Sequence, residues 1–180
     1  FDLELPGRKM RVELVGATQP LVGLDCSLLL VRRKHPSARL ENHANDVLRA
    51  WLDHLVLTAS GVVKPRVHRV CLAYRDGVCP VEIAAVSRDE AHAYLKTLLQ
   101  DLLTADNEVL VPFAAVVEKG LKKSPQEFPS LVSSLMARQR PPCAGPVRRP
   151  ETFRIPAEGE AAELIARRFE PFFGRLSGGS

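Results

Sequence analysis

One stretch constrains the fold more than any other. Leu40, Ala44, Val47, Leu48, Trp51, Leu52 and Leu55 recur at i, i+4, i+7, i+8, i+11, i+12 and i+15. That spacing lines up on one side of a 3.6-residue helix and leaves charged residues on the other. A helix with one apolar stripe must bury it, and Trp51 at that spacing belongs to a core rather than to a ligand platform. Gly61 follows as a stop signal.

Strand-like segments flank this helix. Met10–Val15 alternates Met10, Val12 and Leu14 with Arg11 and Glu13, the period-2 pattern of a half-buried strand. Leu21–Val31 is more continuously apolar and reads as a central strand covered on both faces. Ala17–Pro20 supplies the turn between the two. Val67–Tyr74 and Val78–Val86 read as a hairpin closed by Arg75-Asp76-Gly77, where Asp-Gly tolerates positive φ.

Three further helices are expected. Ser87-Arg-Asp-Glu90 is a capping box, in which side chain and backbone satisfy each other's unpaired donors. Ala91, Tyr94, Leu95, Leu98, Leu99 and Leu102 form its stripe. Ser124-Pro125-Gln126-Glu127 opens another, lined by Phe128, Leu131, Val132, Leu135 and Met136. A last helix spans about Glu158–Arg175, with Ile165, Phe169 and Phe172 on one face. Arg140–Pro150 is too rich in proline for helix or inner strand. The order β-β-α-β-β-α-α-α implies an α/β domain with a mixed central sheet flanked by helices.

At 180 residues the chain fits one domain. Its first residue, Phe1, lies in a strand-like stretch, so a piece excised from a larger chain is expected, with 177–180 as a flexible tail. No apolar run reaches the ~20 residues of a membrane helix. Cys26, Cys71, Cys79 and Cys143 match no zinc spacing. They read as unpaired thiols of an intracellular protein. The net charge of +4 permits an acidic partner without requiring one.

No phosphate loop and no nucleophile elbow is present. His35, His43, His54, His68 and His92 are dispersed and read as surface or capping residues. Gly23–Lys34 carries more information. A strand holding an Asp, then a charged end, then an amphipathic helix is the order of one class of metal-dependent nuclease. That class needs acids to hold Mg²⁺. Here Arg32 stands two positions before Lys34, where an acid belongs. Asp25 alone is a poor metal site. Arg32, Arg33 and Lys34 are either a solvated strand end or phosphate contacts. A cryptic nuclease using Glu13 and Asp25, with Glu13 on a neighbouring strand, is a further reading, as is a pure protein-interaction module.

The run Leu28–Lys34, followed by Val47–Gly61 with Trp51 near its start, resembles the C-terminal domain of the exodeoxyribonuclease V gamma subunit, the RecC family. The later hairpin, the capped helix, Pro112-Phe113 and the Phe169–Phe173 end are similar in order. Arg32–His35 departs from the tyrosine-containing stretch of that family. The resemblance implies a restriction-endonuclease-like (PD-(D/E)xK nuclease-like) fold lacking the metal site, spanning 1–176 with a Pro-rich internal loop at 141–151. It implies no catalytic residues and no cofactor. The expected partners are the beta and alpha subunits of a heterotrimer and double-stranded or forked DNA, without a membrane. The work is cytoplasmic double-strand break repair by homologous recombination. Arg32, Arg33, Lys34 and Arg39 are the expected DNA contacts.

Overall fold

The structure is a computed structural model describing residues 1–31, 44–104, 116 and 158–178. It opens with a hairpin. Asp2–Leu5 (β1) pairs antiparallel with Arg8–Arg11 (β2) across Pro6-Gly7, where Gly7 takes φ +77°. Leu3 and Leu5 alternate inward and pack on Leu99. The chain then forms Cys26–Leu30 (β3), Ala44–Ala59 (α1), His68–Tyr74 (β4), Gly77–Ile83 (β5), Arg88–Leu103 (α2), Glu158–Phe173 (α3) and Leu176–Gly178 (β6).

The main sheet runs β3-β4-β5-β6. β3 and β4 are parallel, because α1 carries the chain from the end of one to the start of the other. The remaining pairs are antiparallel. The domain is therefore α/β with a mixed sheet, as the element order implies.

Burial follows the two periods. β4 buries His68, Val70, Leu72 and Tyr74 and turns Arg69 outward. α1 buries Val47, Ala50, Trp51, His54, Leu55 and Thr58. Trp51 sits between Tyr94 and Phe172, with ring centroids 5.9 and 6.1 Å away. That cluster ties α1, α2 and α3 to β4 and β5.

Local signals act as read. Glu90 N–H donates to Ser87 Oγ, and Ser87 N–H to the Glu90 carboxylate. α1 ends with Val62 N–H on Leu57 O and Gly61 N–H on Thr58 O. Gly61 sits at φ +77°, so the two bonds form the glycine-terminated helix end that L-residues adopt only with strain.

Several expectations are corrected. Leu21–Val31 is not a central strand. Only Cys26–Leu30 is extended, and among the described residues it is the outer strand of its sheet, with Leu30 82% exposed. Part of its free edge is met by the preceding loop, through Leu28 N–H on Pro20 O and Val22 N–H on Cys26 O. The strand read over Met10–Val15 stops at Arg11, and the β1 strand before it was missed. The Arg75–Asp76 turn is present, but neither these residues nor Gly77 takes a positive φ. Ser177 and Gly178, expected in a flexible tail, pair with β5. The last helix ends at Phe173, two residues short, just after Pro171. The helix opened by Ser124 and the Arg140–Pro150 loop lie outside the described residues.

Candidate functional site

Arg32, Arg33, Lys34 and Arg39 lie outside the described residues. Their anchors are described. Val31 N–H bonds Ala73 O, closing β3 against the far end of β4. Tyr74 OH reaches Asp46 in the first turn of α1 at 2.9 Å. The C-terminal ends of two parallel strands, a helix N-terminus and the Arg75–Asp76 turn therefore meet where the basic stretch departs. Ligands of α/β sheets are commonly held at such strand ends.

Asp25 is at the other end of the same strand. Six residue steps, through the five residues of β3, separate it from Val31, about 20 Å. Its carboxylate pairs with Arg66 at 3.5 Å. Glu13 does not sit on a strand next to β3, since β2 belongs to the separate two-stranded sheet. The proposed neighbour relation between Glu13 and Asp25 is thus corrected. Among the described residues, no three His, Cys, Asp or Glu side chains gather in a metal-holding arrangement. Cys26, Cys71 and Cys79 form no disulfide among the described residues, and burial pushes the Cys26 and Cys79 thiols upward.

The residues that do converge belong to no sequence motif. Ser27 on β3 and His68 on β4 are fully buried, with Ser27 Oγ 2.8 Å from His68 Nε2. The His54 ring of α1 stacks on His68 at 4.9 Å and 26°. Thr58 lies one turn on, and Asp53 accepts Gln19 N–H at 2.8 Å. Both His54 nitrogens, His68 Nδ1 and Thr58 Oγ1 are buried without a hydrogen-bond partner among the described residues. Burial pushes His54 down to about 4, helped by His68 and then Arg175. Burial also lowers His68, against the pull of Asp25 and Asp53.

A Ser–His pair at 2.8 Å has the spacing of a nucleophile and its base. Ser27, however, is sealed from solvent, and no carboxylate orients His68 Nδ1. The pair is a junction between α1, β3 and β4. His54 and His68 as surface or capping residues is therefore a corrected expectation. The signal was present: His54 falls on the stripe with Trp51, Leu55 and Thr58, and His68 alternates with Val70 and Leu72.

A second cluster, this one charged, joins α2 to α3. Asp101 receives Arg167 at 2.7 Å and Arg168 at 2.8 Å. Tyr94 OH donates to the Arg168 carbonyl.

No helix among the described residues is long and apolar enough to cross a membrane. No curated protein matches this chain. The family model of the RecC C-terminal domain matches residues 1–120. The match takes in β1 to β5, α1, α2 and the whole basic stretch after β3. The chain therefore belongs to the RecC C-terminal domain family, a part of the RecC subunit of exodeoxyribonuclease V, which serves DNA repair.

Proposed function

We propose that this is a catalytically silent nuclease-like domain that engages DNA and partner subunits in double-strand break repair. In this reading the fold is restriction-endonuclease-like and has lost its metal ligands. Residues 1–176 form one unit in a cytoplasmic complex. Arg32, Arg33, Lys34 and Arg39 contact the phosphates of a double-stranded or forked DNA. Other surfaces meet the beta and alpha subunits.

One observation carries the reading. Within the family-matched stretch, the position two before Lys34 is Arg32, a cation where a nuclease of this order needs a carboxylate. A guanidinium there repels Mg²⁺ and attracts phosphate. The spatial setting supports the same reading, because the stretch leaves the sheet at the shared ends of β3 and β4.

Salt-dependent binding of forked duplex by the RecC-containing complex tests it. Replacing Arg32, Arg33 and Lys34 together by alanine removes three cations. The slope of log affinity against log salt is expected to fall by about 3. An unchanged slope would favour a protein-interaction module without DNA contact. Mg²⁺-dependent cleavage by the domain, abolished by Asp25→Ala, would establish the cryptic nuclease instead.

A further inference from the structure

The two ends of the basic stretch are tied to neighbouring residues of one strand. Residues 32–43, which include Arg32, Arg33, Lys34 and Arg39, join β3 to α1. On the β3 side, Val31 N–H donates to Ala73 O at 2.8 Å. On the α1 side, the Tyr74 hydroxyl donates to the Asp46 carboxylate at 2.9 Å. Ala73 and Tyr74 close β4. The two ties differ in kind. The first is a rung of the sheet, which backbone groups form whatever the side chains. The second depends on one hydroxyl and one carboxylate.

Tyr74 makes a firm anchor. It is buried in the same core cluster as Val47 and Trp51 of α1. Its hydroxyl is therefore a fixed point at the margin of that core. Asp46 lies in the first turn of α1, directly before the buried Val47. Helix ends fray, because their first backbone donors lack partners within the helix. A carboxylate in the first turn suits the helix dipole without any tyrosine. The bond to a residue 28 positions away is thus a tie between elements rather than a cap.

We propose that Tyr74 is a positioning residue for DNA binding: by holding Asp46 it fixes the α1 end of the basic stretch. The inference rests on the reading that Arg32, Arg33, Lys34 and Arg39 contact phosphate. A segment held at both ends has less freedom to lose on meeting a phosphate backbone than one held at a single end. In this role Tyr74 touches no phosphate. It adds affinity without adding charge.

The test measures forked-duplex affinity of the RecC-containing complex against salt. Tyr74→Phe keeps the buried ring and deletes the hydroxyl. Affinity is expected to fall about fivefold, the worth of one hydrogen bond, at every salt concentration. The salt slope is expected to stay unchanged, because no cation is lost. Asp46→Asn and Asp46→Ala remove the same charge, but only the asparagine keeps an oxygen for Tyr74. The asparagine variant is expected to bind about fivefold more tightly than the alanine one. The last arm adds Tyr74→Phe to a variant with alanine at Arg32, Arg33, Lys34 and Arg39. A positioning residue has no further effect once the residues it positions are gone, whereas an independent structural role adds its full penalty. Tyr74→Phe at wild-type affinity, equal binding by the two Asp46 variants, or the same Tyr74→Phe penalty with and without the four cations overturns the inference. The DNA reading survives each of these outcomes if the four alanines weaken binding by themselves. Four alanines that leave affinity and slope unchanged overturn the DNA reading and this inference with it.

Discussion

Two polar clusters are buried among the described residues, and they are treated in opposite ways. Asp101 is buried between α2 and α3 with two guanidinium groups on its oxygens. Ser27, His54, Thr58 and His68 are buried between α1 and the sheet, with one hydrogen bond among them and four atoms lacking partners. The first keeps its charge and surrounds it. The second avoids charge by remaining neutral. A buried carboxylate without cations would cost several kcal/mol, whereas a neutral imidazole without partners costs only its lost hydration. The two junctions should therefore fail under different insults.

Mutation should strike the Asp101 junction harder. Asp101→Ala removes a carboxylate that is 10% exposed and that Arg167 and Arg168 share. Removing one member of a buried pair typically costs about 3–5 kcal/mol. Urea denaturation is expected to show that loss. Replacing Asp101 and Arg168 together by leucine should recover much of it. A loss below about 1 kcal/mol for Asp101→Ala would mean that water or other groups satisfy the guanidinium groups without it, and the contrast would collapse.

Acid should strike the histidine junction instead. The folded-state pKa of His54 is about 4, against an ordinary value of 6.5. The unfolded chain therefore binds the proton more tightly between those values. Stability is fully present above pH 6.5 and falls progressively as the pH drops towards 4. The shift corresponds to a loss of about 3 kcal/mol. His68, lowered in the same direction, adds to it. Stability measured from pH 7.5 to 4 is expected to show this decline, and His54→Leu should flatten it. A decline of the same size in His54→Leu would assign it to groups other than His54.

The two clusters also differ in how readable they are. His54 and His68 carry local marks, since each sits on the buried period of its own element. They were missed because histidine type was weighed above position. The Leu52 position shows the converse. It was placed on the buried stripe by residue type, yet it is 36% exposed, and the buried line runs through Ala50, His54 and Thr58. Asp101 with Arg167 and Arg168 leaves no local trace, because 66 residues separate the partners. Ser87–Glu90 was legible for the opposite reason: its partners are three residues apart. β6 and the outer place of β3 depend on which strands pair across the fold, and composition does not encode that. Of the expected DNA contacts, sequence supplies identity, and the described residues supply only the strand end from which they leave.

The smallest expected effect is the sharpest test of the contrast. His54→Leu removes two unpartnered nitrogens and keeps a side chain of similar bulk against Trp51 and His68. If those nitrogens are dry, the change in stability at pH 7.5 should lie within about 1 kcal/mol of zero, of either sign. Ser27→Ala should cost more, about 1–2 kcal/mol, because it strands His68 Nε2 as well. The order of the two variants matters more than either value. Were His54→Leu the costlier, its nitrogens would be hydrogen-bonded in solution. The histidine junction would then be a satisfied network like the Asp101 one, and the distinction between keeping a charge and avoiding it would no longer describe this core.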